Sequence, residues 1–90
     1  MTIYVDELTE IPKKYIKLRA QKYGTHWSHM WTDGDLKELH DFAKKIGLKR
    51  SWFQNKRSFP HYDIVPSKRE LAIQKGAKEI YLIEWFRKLR

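Results

Sequence analysis

Apolar residues recur along the chain in short runs whose spacing changes between strand and helix periods. Strands are short, alternating and rich in β-branched or aromatic residues, and helices carry apolar residues three or four apart. Aromatic residues between His26 and Trp31 fit the pleated surface of a strand, with Trp27, His29 and Trp31 on one face. The pattern predicts strands at residues 3–8, 26–31, 49–54 and 78–82.

Helical periodicity fills the segments between these strands. Proline in the first turn and glycine after the last turn mark several of the expected helix ends. The predicted helices are residues 12–24, a segment capped by Thr32 or Asp33 that runs to about residue 46, residues 66–76, and a last helix that buries Leu82, Trp85, Phe86 and Leu89.

A repeated order of elements predicts the fold class. The segments FAKKIGLKRSWF and LAIQKGAKEIYL each contain a helix end, a glycine and a strand, and they lie 29 residues apart. Two such units in succession predict βαβ crossovers with parallel strands. We therefore expect a small three-layer α/β sandwich with a mostly parallel sheet of about four strands and helices on both faces. Ninety residues leave room for a single domain, residues 1–90.

Composition limits the expected cellular location and the kinds of site that the chain can form. The chain has no cysteine, which excludes disulfides, thiolate zinc sites and cysteine nucleophiles. No apolar run reaches the roughly 18 residues of a membrane span, and acidic residues occupy the region where a signal peptide would be basic and then apolar. The sequence predicts a cytoplasmic protein without a membrane partner. It does not predict an oligomeric state, and a homo-oligomer stays open.

The net charge of +8 is compatible with a solvated basic surface or with a partner that bears phosphate. Lys56 and Arg57 stand in a polar loop with Phe59, and such alternation of cations and aromatic rings suits phosphates and stacked bases. Charge alone does not distinguish DNA, RNA, a nucleotide or an acidic protein.

The stretch HYDIVPSKR concentrates polar chemistry ahead of a helix. The N-terminus of the helix that starts at Pro66 offers free N–H groups, and Lys68 and Arg69 add two positive charges. Cations are unfavourable at that end of an isolated helix, so an anion such as phosphate is expected there, with solvated surface charge as the alternative. We assign His29, Asp33, Lys68, Arg69, Lys56 and Arg57 to ligand or phosphate binding.

Histidine and aspartate side chains supply the candidate catalytic groups. His40 lies on the apolar stripe of its helix, where it is either a hydrogen-bonded core residue or a ligand-facing imidazole. His61 and Asp63 are two residues apart and point the same way in an extended segment. His40, His61 and Asp63 could perform general acid/base catalysis. A divalent metal such as Zn, Mn or Fe is an alternative cofactor, but no tight ligand motif such as HExxH is present, and no metal site is assigned.

Several motifs in fixed order resemble a family of small bacterial and phage proteins, domain of unknown function 4031. They are YVD, WSHM-x-x-D, ELH-x-FA-x-x-x-GL-x-x-x-WFQ, HYD-x-x-PSKR and a GA pair. The resemblance implies no established activity. The residues it places in the family motif are Asp6, His29, Asp33, Glu38, His40, His61, Asp63, Lys68 and Arg69.

Three functional classes follow. The first is a small cytoplasmic bacterial or phage protein, in the host cytoplasm if phage-encoded, that binds a nucleotide or nucleic acid at the cluster of His, Asp, Lys and Arg. The second is a metal-dependent or acid/base phosphoesterase or nuclease. The third is a module that binds or inhibits a host protein.

Overall fold

A computed structural model describes residues 2–10 and 26–88. The helix predicted at residues 12–24 lies outside these ranges. Within them, no helix is long and apolar enough to cross a membrane.

Six short strands form one mixed sheet in the described part of the chain. Five of them follow the order β4-β5-β3-β1-β6, and β2 pairs with one end of β3. Among the pairings of the described strands, that of β1 with β6 is parallel and the other four are antiparallel. The strands are β1 (Ile3–Val5), β2 (Thr9–Glu10), β3 (His26–Thr32), β4 (Phe53–Gln54), β5 (His61–Ile64) and β6 (Lys78–Glu79).

The expectation of a mostly parallel sheet with about four strands is wrong. The helix-glycine-strand units do join strands that run in one direction, β3 to β4 and β5 to β6, as the pairings require. However, β5 lies between β3 and β4, and both β3 and β1 lie between β5 and β6. In each case one intervening strand, β5 or β3, runs opposite to the strands it separates. The sequence pattern did not predict β5, and its hairpin with β4 makes this part of the sheet antiparallel.

Residues 26–88 also contain three α-helices: α1 (Leu36–Lys45), α2 (Pro66–Gln74) and α3 (Leu82–Lys88). The N-cap of α1 is Asp35, whose side chain accepts from the Lys37 N–H, and not Thr32 or Asp33 as expected. Gly47 ends the following turn with φ of 83°, a left-handed conformation that suits glycine. A 3-10 turn at Arg50–Trp52 replaces most of the strand predicted at residues 49–54.

The hydrophobic core lies between one face of the sheet and helices α1 and α2. Val5, Met30 and Ile64 project from the strands, and Leu39 and Ala72 project from the helices, all fully buried. Burial of one leucine-sized side chain stabilises the fold by about 1.5–3 kcal/mol. This packing fixes the sheet in place, so side chains on its opposite face have defined positions.

That opposite face carries aromatic and polar side chains. Tyr4 and Trp31 are cross-strand partners there, with ring centroids 5.9 Å apart. Trp85 of α3 packs on both, at 5.0 Å from Tyr4 and 5.6 Å from Trp31. His29 shares this face with Trp31, because strand residues two apart point the same way. The candidate site therefore lies on the face opposite the core.

Candidate metal centre

The pairing of β3 with β5 brings His29, His61 and Asp63 together. His29 is directly opposite Asp63 in the antiparallel register, and His61 lies two residues from Asp63 on the same face. One ligand atom from each of the three side chains lies within 4.8 Å of the other two. We call these three residues the His-Asp cluster.

Asp6 holds His29 from the end of β1. One carboxylate oxygen accepts the His29 backbone N–H at 2.6 Å, and the other lies 2.6 Å from Nδ1 of the ring. Asp6 is 1% exposed, so this carboxylate is shielded from water. A buried carboxylate needs such partners. The contact places the hydrogen of His29 on Nδ1 and turns Nε2 away from Asp6.

A backbone group fixes the ring of His61 in a similar way, through its Nδ1. Its Nδ1 lies 2.7 Å from the carbonyl oxygen of Phe59. A carbonyl can only accept, so Nδ1 of His61 carries the hydrogen and donates it. Nε2 of His61 lies 3.2 Å from Oδ1 of Asp63, while Nε2 of His29 lies 4.0 Å from the same oxygen.

In this arrangement the hydrogen-bond acceptors of the three side chains face one another. In neutral imidazoles with hydrogen on Nδ1, both Nε2 atoms present lone pairs, and Asp63 adds a carboxylate. With both rings neutral, Asp6 and Asp63 give the site two negative charges inside a chain whose net charge is +8. A cation beside both Nε2 atoms and Asp63 would satisfy these groups, and it could be a proton on a ring or a metal ion.

The environment of His29 favours its charged form. Burial disfavours the imidazolium, but the hydrogen bond to Asp6 and the negative charges of Asp6, Asp63 and Glu7 outweigh it, and the pKa of His29 is raised above its ordinary value. The negative groups around His29 therefore favour positive charge at its ring, which either a proton or a metal ion can supply.

Phe59 packs over the His-Asp cluster from the loop before β5. Its ring stacks on His61 with centroids 4.8 Å apart and meets His29 edge-on at 5.6 Å. Phe86 of α3 packs against Phe59 at 5.4 Å. The cluster nevertheless reaches solvent, because the side chains of His29 and Asp63 are 26% and 19% exposed. One wall is aromatic, and small ligands can approach through the exposed part.

His40 lies on the opposite face of the sheet from the His-Asp cluster. Its Nδ1 is 2.9 Å from the hydroxyl of Tyr62, and its ring packs edge-on against Phe53 at 4.6 Å. Tyr62 stands between His61 and Asp63 in β5 and so points the other way. The structure thus separates His40 from the two residues with which it was grouped as catalytic.

Lys68 and Arg69 make hydrogen bonds within the protein. The ammonium of Lys68 donates to the carbonyl of Ile46 at 2.7 Å, just beyond α1. Arg69 donates to the Asp6 carbonyl at 2.8 Å and pairs with Glu79 at 2.9 Å. Both cations have structural partners, and phosphate binding by them stays a prediction.

The other predicted site residues also lie outside the cluster. Asp33 accepts the Thr2 backbone N–H at 2.8 Å and the Tyr4 hydroxyl at 3.3 Å. The Thr2 N–H is the main reason why the pKa of Asp33 is lowered. Lys56 and Arg57 are exposed in the loop that leads to His61. Of the predicted set, only His29, His61 and Asp63 come together.

Two groups that position the cluster were not assigned from sequence. Asp6 belongs to the family motif, but it was not among the residues assigned a catalytic or binding role, because acids near strand ends commonly form turns or caps. The role of the Phe59 carbonyl cannot be predicted from the sequence, because every residue has a backbone carbonyl. Both contacts depend on how the strands and the loop are placed in three dimensions.

Comparison with known proteins identifies a family for most of the chain. A family model described as Protein of unknown function (DUF4031) matches residues 15–90. The matched region contains the whole His-Asp cluster but begins after Asp6. No curated protein and no solved structure matches the sequence.

Proposed function

This chain belongs to the DUF4031 family of proteins of unknown function, and we propose that it binds a divalent transition-metal ion through His29, His61 and Asp63 and uses it to hydrolyse a phosphate ester. One observation carries the metal assignment. Both histidines commit Nδ1 to a protein acceptor, so that both Nε2 atoms are directed toward the same carboxylate.

The hydrogen bonds at Nδ1 of the two histidines support a metal site more than a simple ion pair. Metal-binding histidines commonly donate their other ring N–H to a carboxylate or a backbone carbonyl, which fixes the tautomer and the ring orientation. Here His29 has the carboxylate Asp6 and His61 has the carbonyl of Phe59. A dication would also balance the two negative charges of Asp6 and Asp63.

The donor set favours a transition metal. Two imidazoles and one carboxylate suit Zn²⁺, Fe²⁺ or Mn²⁺, whereas Mg²⁺ and Ca²⁺ prefer sites built from oxygen alone. Ligand atoms around such an ion are roughly 3–3.5 Å apart, given bonds of about 2.0–2.2 Å. The separation of 3.2 Å between His61 and Asp63 has this size, whereas the 4.0 Å at His29 and the 4.8 Å span of the three ligand atoms exceed it, so the side chains must close around the ion.

Hydrolysis is the reaction class that an open three-ligand site supports. Three protein ligands leave coordination positions for water and substrate, and a bound metal lowers the pKa of that water toward neutrality. Lys56 and Arg57 are exposed on the loop that ends at the cluster, where they would attract a phosphate. These charges favour a phosphate ester over an uncharged ester or peptide.

A hydrolysis assay tests the proposed reaction. Purified protein, stripped with EDTA and reloaded with Mn²⁺ or Zn²⁺, is incubated with bis-p-nitrophenyl phosphate, labelled DNA and labelled RNA. We expect metal-dependent turnover that Asp63→Asn abolishes, because the ion loses a ligand. Asp33→Asn is the matched control, since Asp33 is an exposed aspartate outside the His-Asp cluster. If no substrate is turned over by protein that has been shown to hold the metal, the reaction assignment is wrong.

A further inference from the structure

A second concave site lies on the other face of the sheet, beside the core. A cavity of about 440 Å³ opens between α1 and the segment that contains the 3-10 turn. Its lining residues are His40, Asp41, Lys44, Leu48, Arg50 and Tyr62. None of them belongs to the His-Asp cluster.

The charges around this cavity are mainly positive. Lys44 and Arg50 are exposed at its rim, and Arg50 lies over the ring of Phe53 with its guanidinium carbon 5.0 Å from the centroid. Asp41 also lines the cavity, but Lys37 pairs with it at 3.3 Å. The two cations therefore face a concave surface whose one acid already has a partner, an arrangement that attracts anions.

Neutral hydrogen-bonding groups form the inner part of the cavity. The hydroxyl of buried Tyr62 lies 2.9 Å from Nδ1 of His40, and Phe53 packs against the His40 ring. Burial and the nearby charge of Arg50 lower the pKa of His40. The neutral form of His40 is thus favoured in the folded protein, and in that form its ring can hydrogen-bond a ligand without adding a third charge.

We propose that this cavity is a second ligand site, independent of the metal centre, which binds a small organic phosphate. Arginine and lysine together recognise the phosphate, because guanidinium offers paired N–H donors and ammonium adds a compact charge. Buried Leu48 gives the ligand's organic part an apolar contact. Tyr62 separates this cavity from the cluster, since its neighbours in β5 point to the opposite face.

The test uses protein kept free of metal with EDTA, so that phosphate cannot bind through an ion at the cluster. Inorganic phosphate and phenyl phosphate are titrated by NMR and by calorimetry. We expect both to bind and to move the His40 ring resonances more than those of His29 and His61. Phenyl phosphate should bind more tightly, because only it carries a group for the apolar contact.

Paired double variants assign the binding to the cavity. Lys44→Gln with Arg50→Gln removes both rim cations, and Lys45→Gln with Arg87→Gln removes the same charge from exposed positions outside the cavity lining. We expect binding to weaken at least about tenfold in the first pair and to change little in the second. Equal weakening in both pairs, or no binding to the wild type, would overturn the proposal, whatever the result at the metal centre.

Discussion

The carboxylate of Asp6 binds His29 twice, at the backbone N–H and at Nδ1, with both distances 2.6 Å. The two residues are 23 positions apart and meet because β1 pairs with β3. Two contacts to one residue fix the strand position and the ring orientation together. Asp6 is therefore the residue that orients Nε2 of His29 toward Asp63.

Asp6→Asn should weaken metal binding without removing a ligand. The amide cannot accept two hydrogen bonds with the strength of a carboxylate. Loss of the hydrogen-bond partner of a metal-binding histidine typically costs about 10–100-fold in metal affinity. We expect a loss of this size for Zn²⁺ in a competition assay with a fluorescent chelator.

Asp33→Asn is the matched control for Asp6→Asn. Asp33 also accepts a backbone N–H and a side-chain donor, but it binds Thr2 and Tyr4 and not the cluster. The control variant should keep the metal affinity of the wild type. Equal affinities for the two variants would show that Asp6 does not act on the metal site.

Sequence patterns identified the side chains of the site better than their arrangement. Alternation predicted that His29 and Trp31 lie on the same face of their strand. The spacing in HYD likewise predicted that His61 and Asp63 lie on the same face of theirs. The sheet then put these two faces side by side, which needs the antiparallel register of β3 with β5. Four residues at β5 are too few to give a clear periodic signal, so this pairing was not predicted.

Charge patterns in the sequence do not show which protein groups a cation contacts. Lys68 and Arg69 occupy the first turn of α2, where helix electrostatics suggested a bound anion. In the structure they reach carbonyls of Ile46 and Asp6, 22 and 63 residues away in the sequence. Local sequence contains no information about such partners.

Lys68→Ala should destabilise the fold. The mutation removes the donor to the Ile46 carbonyl near the end of α1, and a hydrogen bond from a charged group contributes about 1–2 kcal/mol where the side chain is partly exposed. Urea denaturation followed by circular dichroism should show this loss. Lys75→Ala, an exposed lysine after α2, is the control and should change the free energy of unfolding by less than about 0.5 kcal/mol. Unchanged stability of Lys68→Ala would mean that the hydrogen bond contributes nothing.

Lowering the pH should reduce the contribution of His40 to the free energy of unfolding. Burial and Arg50 hold the pKa of His40 below its ordinary value of 6.5, and Asp41 opposes them only in part. As the pH falls through 6.5, the unfolded chain takes up a proton before the folded protein does, so the free energy of unfolding decreases until folded His40 also becomes protonated. Above pH 6.5 this contribution is constant.

Comparison with His40→Gln isolates that effect, because the other histidines titrate in both proteins. Urea denaturation of metal-free protein between pH 5 and pH 8 should show the stability difference between wild type and variant shifting against the wild type as the pH falls. A difference that is independent of pH would contradict the lowered pKa of His40.

Direct titration of metal into the EDTA-treated protein tests the central claim most directly. Isothermal calorimetry with Zn²⁺ and with Mn²⁺ should show one ion bound per chain, and the loss of a ligand in His61→Ala or Asp63→Asn should abolish that binding. His40→Gln should bind as the wild type does, because His40 lies on the other face of the sheet. If the wild type binds neither ion while folded, or if His61→Ala binds as tightly as the wild type, the His-Asp cluster is not a metal site.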